Sequence, residues 1–108
     1  MTCQIMLHEG VVDGDLRPTL EAGIRRIYAD VVGIPPADFK VAYVDVPAGR
    51  WFTAGVTSRS SIVQTTVPAG FDPDSRTELL TAIYDHWRAT TGCAPNEIML
   101  SAVDEVGT

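Results

Sequence analysis

The sequence predicts an α/β (α+β) fold: tandem β-α-β units form a four-stranded mixed sheet with two helices on one face. Two observations predict it. The two halves overlay at a constant offset of 59 residues, with Leu20 on Leu79, Ile24 on Ile83, Gly33 on Gly92, Pro36 on Pro95 and Val44-Asp45 on Val103-Asp104. Asp13, Asp15 and Arg17 likewise fall on Asp72, Asp74 and Arg76. Each half also runs through the same succession: a short β-type run, a helical apolar stripe, a glycine-proline stop and a second β-type run. A unit of this size cannot bury its apolar face alone, so the two copies share one core. A strand–helix–strand crossover of this length is right-handed and makes its two strands parallel. The chain of 108 residues is one domain, with its internal repeat dividing at 1–59 and 60–108. The offset sets Ser60 on Met1, which puts Met1 at the head of a strand.

Cys3 to His8 reads as the first strand, ended by Glu9-Gly10. Asp13 and Asp15 both suit the N-cap of the first helix, with Pro18 tolerated in the opening turn. Leu16, Leu20, Ile24, Ile27 and Val31 recur at helical spacing. Gly33 closes the helix and Pro35-Pro36 prevent its continuation. Phe39 to Val46, rich in β-branched and aromatic residues, reads as a central strand. Pro47-Ala48-Gly49 turns the chain into a hairpin or edge strand over Arg50 to Val56. Ser61 to Val67 is the next strand, and Asp72-Pro73 an N-cap followed by proline at the first helical position. Leu79, Ala82, Ile83 and Trp87 line the buried side of the second helix, Gly92 and Pro95 stop it, and Ile98 to Val103 is the last strand. His86 and Arg88 belong to the outer side of the second helix.

With both helices on one face, the other face of the sheet is left bare. Its residues, some mix of Ile5, Leu7, Val41, Tyr43, Ile62, Leu100 and Ala102, are too apolar for water, so self-association is expected to cover them.

Composition narrows the functional classes. A net charge of −6 with no Lys/Arg block disfavours nucleic acid, whose binding needs a basic face. No apolar run approaches the roughly 20 residues that span a bilayer. No signal-peptide pattern opens the chain, so the cytoplasm is the expected compartment. Cys3 and Cys93 form no CxxC pair and read as free thiols. His8 and His86 have no ligand partners at metal spacing, so no metal is expected, and no glycine loop suggests a phosphate-bearing cofactor.

Three segments carry a resemblance. M-T-C-Q-I-M-L-H-E-G resembles the opening strand of 4-oxalocrotonate tautomerase (4-OT), with Gln4-Ile5 and Glu9-Gly10 in register. V-G-I-P-P-A-D-F-K-V-A-Y-V resembles the helix-to-strand junction of macrophage migration inhibitory factor, and V-P-A-G-R-W-F-T-A-G is similar to a hairpin of cis-3-chloroacrylic acid dehalogenase. Together they resemble the tautomerase superfamily across nearly the whole chain. The resemblance implies paired β-α-β units assembled as a homotrimer, no cofactor, and a small-molecule carbonyl or carboxylate substrate.

The resemblance also implies chemistry at the amino terminus, where these enzymes use a proline amine. Here residue 2 is Thr2, no proline precedes Pro18, and the register sets Met1 on the proline. A primary α-amine titrates near 7.7–8.0 and falls further in apolar surroundings, so Met1 can serve as a general base or form a Schiff base. The competing view is an inert strand end. The arginine that binds a substrate carboxylate in 4-OT maps onto Lys40, which keeps the charge but not the bidentate fork; a salt-bridging surface lysine is the alternative. The hairpin aromatic maps onto Trp51, with core or interface packing as its rival use. Arg50 is a further candidate cation. Tyr28 stands where the dehalogenase has a histidine, while its repeat counterpart Trp87 argues for packing. The arginine pair of that dehalogenase falls near Ala69 and Asp72, so hydration or dehalogenation is not expected.

Three functions stay open. One is an isomerase-type enzyme acting on a small enol, keto or conjugated carbonyl compound, with Met1 as base and Lys40, Arg50, Trp51 and Tyr28 around the substrate. A second is a catalytically inactive binding or assembly protein of the same fold. The third is a recruited biosynthetic enzyme acting on a larger apolar substrate.

Overall fold

A computed structural model of the chain describes residues 2–47, 52–53, 56–57 and 60–105. Strand β1 (Thr2–His8) leads through a short 3-10 turn at Gly14–Leu16 into helix α1 (Arg17–Val32). Of the two acids expected to cap this helix, Asp13 acts. Its carboxylate accepts from the Asp15 amide at 2.9 Å and caps the 3-10 turn, so the regular helix starts only at Arg17. Pro18 lies in the first turn, where its missing N–H leaves no bond unmade. Gly33 ends α1 in the left-handed region at φ 86°, where an L side chain would be strained, and its N–H reaches Ala29 O at 3.0 Å.

Strand β2 (Lys40–Val46) is followed by a two-stranded antiparallel pair, β3 (Phe52–Thr53) and β4 (Val56–Thr57). The hairpin thus falls inside and just beyond the expected 50–56 span. The second unit repeats the first with β5 (Ser61–Val67), α2 (Pro73–Thr91) and β6 (Ile98–Asp104). Asp72 caps α2 by accepting from the Ser75 amide at 3.0 Å, and Gly92 closes it in the left-handed region.

The main sheet has the order β2-β1-β5-β6. The outer pairs β1·β2 and β5·β6 are parallel, as each crossover requires, and the central pair β1·β5 is antiparallel. The duplication therefore folds as two units joined edge to edge about an approximate two-fold. An ion pair is repeated with it. Arg17 at the start of α1 meets Asp45 at the end of β2, and Arg76 meets Asp104 at 2.6 Å at the same place in the second unit.

The shared core lies between the sheet and the two helices. Cys3, Ile5 and Leu7 of β1 and Val63 and Val67 of β5 pack with Leu20, Ile24 and Tyr28 of α1 and Leu79, Ile83 and Trp87 of α2. Phe39 and Ile98 close its ends. The bare face is consequently not made of the residues expected. Ile5 and Leu7 are buried under the helices, and Val41, Tyr43, Leu100 and Ala102 pack against the same core; only Ile62 falls on the open side. Alternation along the strands puts Thr2, Gln4, Met6, Lys40, Ala42, Val44, Gln64, Thr66, Met99, Ser101 and Val103 there instead. The most apolar strand positions went to the helices, where burial is complete, and the open face received a milder, mixed set. It still exposes Val44, Met99 and Val103, at 37%, 59% and 41%. No described helix is long and apolar enough to cross a membrane.

Candidate functional site at the head of the first strand

Thr2, Lys40 and Thr66 meet at the end of the sheet where β1 begins. Thr2 lies opposite Lys40 in the parallel β1–β2 ladder, so their backbones are about 4.8 Å apart. On the other side, the Thr2 N–H donates to Thr66 Oγ1 at 2.9 Å, and the same hydroxyl donates to Thr2 O at 3.2 Å. One threonine side chain thereby does the work of a ladder pair and fixes the backbone at the strand head. The C-terminal end of β6 closes the same corner, with the Glu105 N–H donating to Val67 O at 2.7 Å.

Lys40 is the one lysine, arginine or carboxylate that the described strands put on the open face, and it makes no ion pair among the described residues. Tyr28 is fully buried, with its ring stacked on Phe39 at a centroid distance of 4.2 Å. Its ring therefore packs the core, as the comparison with Trp87 suggested. Burial raises the phenol above its usual range, opposed by the Thr65 and Thr66 hydroxyls and reinforced by the charges of Cys3 and Glu105. The hydroxyl is thus tied to the Thr66 corner although the ring is not open to a ligand. Neighbouring Cys3 is an inert thiol, pushed up to about 12 by burial and by the Glu21 carboxylate.

Met1, Arg50 and Trp51 lie outside the described residues. His8 is buried at the far end of β1. His86 departs from expectation: it turns toward α1, its Nε2 3.3 Å from Leu20 O, rather than lying on the outer side of α2.

Thr66 and Glu105 were not singled out by sequence reading, yet the repeat carries a signal for both. At the offset of 59, Tyr28 falls on Trp87, Lys40 on Met99 and Glu105 on Val46; the ladders pair Thr2 with Lys40 and Ile62 with Met99, so the first strands superpose at an offset of 60 and Thr66 falls on Met6. Four polar residues at one end of the sheet each correspond to an apolar residue at the other. The duplication is symmetric in its core and asymmetric here, and that asymmetry marks one strand head as the chemically distinct one.

No family model matches the chain, and no curated protein matches it. Solved structures do. The crystal structure of native Ps01740 is 26% identical, covers 97% of this chain and 94% of that one, and superposes at a TM-score of 0.92. N1, a member of the cis-3-chloroacrylic acid dehalogenase family, is 17% identical over 97% of this chain and 75% of its own, at 0.89. A symmetric trimer of fused 4-OT is 15% identical over 97% and 85%, at 0.85. These likenesses define the class: an α+β protein of paired β-α-β units joined through an antiparallel centre. The chain has the tautomerase fold.

Proposed function

We propose that the protein is a tautomerase-superfamily enzyme of isomerase type, acting in the cytoplasm on a small enol, keto or conjugated carbonyl compound. The observation that supports this best is Lys40, which makes no ion pair among the described residues and is the one lysine, arginine or carboxylate that the described strands put on that face, directly across the ladder from Thr2. In this proposal the amine of Met1 is the base. It takes the hydroxyl proton of an enol as the carbonyl forms, and the resulting ammonium delivers that proton to carbon. Lys40 holds the substrate carboxylate or the developing enolate oxygen, where a fixed cation in a water-poor site lowers the barrier. Arg50 and Trp51 complete the binding site. Tyr28 contributes only through its hydroxyl at the Thr66 corner.

The same proposal includes a homotrimer. The open face carries Met6, Val44, Ile62, Met99 and Val103 among uncharged polar residues, a composition suited to a subunit interface. Covering it encloses the strand head and depresses the amine by desolvation.

The test is the ultraviolet decay of a phenylenolpyruvate-type enol, followed before and after α-amine acetylation confirmed by intact mass. Turnover that acetylation abolishes supports the proposal. Turnover that survives removes Met1 from the mechanism. No turnover with any small enol leaves the binding or assembly protein, or an enzyme of a larger apolar substrate.

A further inference from the structure

A shallow, open groove of about 380 Å³ lies between the two helices, on the side of the sheet away from Lys40. Pro18, Thr19, Ala22, Gly23 and Arg26 of α1 and His86 of α2 line it. Its size is that of a small-molecule site, and its walls combine apolar surface with a few polar groups. Both of its titratable side chains are bases, in a chain with 14 acidic and 8 basic residues. The charge of Arg26 is also unspent. Arg17, Arg25 and Arg76 each meet a carboxylate, at Asp45, Glu21 and Asp104, whereas Arg26 has no such partner among the described residues. No acidic residue occupies the first turn of α1, which supplies Pro18 and Thr19 to the wall.

His86 is built into this position. Its Nε2 lies 3.3 Å from Leu20 O, and a carbonyl only accepts, so Nε2 carries the hydrogen. That leaves Nδ1 for another partner. The ring rests against Gly23, where a Cβ would collide with it. The repeat shows that this contact is not simply what a helix crossing needs. At the offset of 59, Gly23 corresponds to Ala82 and His86 to Ile27, so the two-fold-related positions hold an ordinary apolar pair. The crossing is polar on one side only, and the cavity lies on that side.

We propose that this cavity binds a small organic anion, a carboxylate or phosphate head on a short apolar body. Arg26 holds the oxyanion with its planar fork, the Thr19 hydroxyl donates to it, His86 Nδ1 accepts from a phosphate hydroxyl or a bridging water, and Pro18, Ala22 and the Gly23 backbone accept the apolar part. The site is separate from the strand head and stays outward when the open sheet face is covered, so its occupancy does not depend on the proposed catalysis.

The test is titration of the full chain with inorganic phosphate, butyrate and butyl phosphate, followed by calorimetry and by amide chemical shifts. Saturable shifts at Thr19, Ala22, Gly23 and His86 are expected, with butyl phosphate binding more tightly than inorganic phosphate. Arg26→Gln, which removes no ion pair among the described residues, weakens binding at least tenfold, and Ala22→Leu, which fills the cavity and leaves both bases in place, does the same. Melting curves establish that each variant is folded. Lys40→Gln leaves the shifts at Thr19, Ala22, Gly23 and His86, and their saturation, unchanged. Linear shifts spread over all basic residues, undiminished shifts at those four residues in folded Arg26→Gln, or their loss in Lys40→Gln would each overturn the inference. If butyrate and butyl phosphate bind alike, the carboxylate and phosphate arms share one site; if only one binds, that head is the ligand's.

Discussion

Lys40 and Thr2 are direct partners in the parallel β1–β2 ladder, and among the described residues Lys40 is the one charged strand residue on the open face of the sheet. Lys40 holds no ion pair among the described residues, so its removal tests function cleanly. Lys40→Gln is expected to raise KM for an anionic enol about ten- to hundredfold, the worth of a hydrogen bond to a charged group, with the melting temperature unchanged. Lys40→Arg should retain most of the affinity. Steady-state kinetics beside a thermal melt decides it, and an unchanged KM removes Lys40 from the site.

Gly23 and His86 set a prediction whose sign depends on the partner. Alanine at 23 gains about 1 kcal/mol of helix propensity, but its Cβ meets the His86 ring. Displacing that ring costs its bond to Leu20 O and about 1–3 kcal/mol of overpacking. Gly23→Ala is therefore expected to destabilise the wild type by about 1 kcal/mol, and to stabilise a His86→Ala background by a similar amount. Urea denaturation of the four proteins in this double-mutant cycle measures the reversal.

The repeated ion pair makes a pH prediction. Hydrogen bonding to Arg76, opposed by desolvation and reinforced by the Arg76 charge and a Gly70 backbone bond, holds the Asp104 carboxyl below its usual range. A depressed folded value means that the contribution is present above the unfolded value near 3.9 and is lost as pH falls through the folded one. Arg76→Gln should flatten this acid limb of the stability curve. Because the pair is exposed, 1 M salt, with a Debye length of about 3 Å, should flatten it as well. An acid limb insensitive to both leaves Asp104 without a role in it.

Most of the fold was legible because the repeat constrains it twice over. Leu20 and Leu79, Ile24 and Ile83, and Gly33 and Gly92 each report one position in two independent copies. Asp72 with Pro73 marked the start of α2 because cap and first-turn proline are adjacent. The start of α1 was less legible: Asp13 and Asp15 compete within three residues, and only backbone geometry shows that one of them caps a 3-10 turn. The open sheet face was misassigned because hydrophobicity alone does not reveal strand phase. Ile5 and Leu7 looked apolar enough for an interface, but a shared core under two helices claims the most apolar parity first. Lys40 and Tyr28 were candidates through resemblance. Thr66 and Glu105 were not, since their placement depends on β5 lying antiparallel beside β1, which follows from the pairing of the two units rather than from either unit alone.

Cys3 carries a prediction at alkaline pH. Its thiol is pushed up to about 12, while in an unfolded chain it ionises near 8.5. The folded state keeps a proton that the unfolded state releases, so stability is full below about 8.5 and declines as pH rises toward 12, by up to about 1.4 kcal/mol per pH unit. Tyr43, likewise pushed up to about 12 by burial and by Glu21, steepens the decline above about pH 10. Cys3→Ala should be less stable at pH 7 and show a shallower alkaline slope. A thiol reagent at pH 8 should modify half-buried Cys93 in the native protein and reach Cys3 only after denaturation.

The open face supplies the remaining test, which concerns assembly rather than catalysis. Met99 and Val103 are 59% and 41% exposed on β6, an edge strand whose ladder is paired on one side only. Neither packs in the core, so a charge at either position is not expected to disturb the single chain. In a subunit interface the same charge must be desolvated without a partner, at a cost of several kcal/mol for each copy. Met99→Glu and Val103→Lys are therefore expected to convert a trimer into folded monomers, read by light scattering with circular dichroism to confirm the fold. If Lys40 acts in a site enclosed by neighbouring chains, these variants also lose activity although neither residue touches the substrate. An assembly that survives both charges places the interface elsewhere, and activity that survives dissociation shows that one chain holds the whole site.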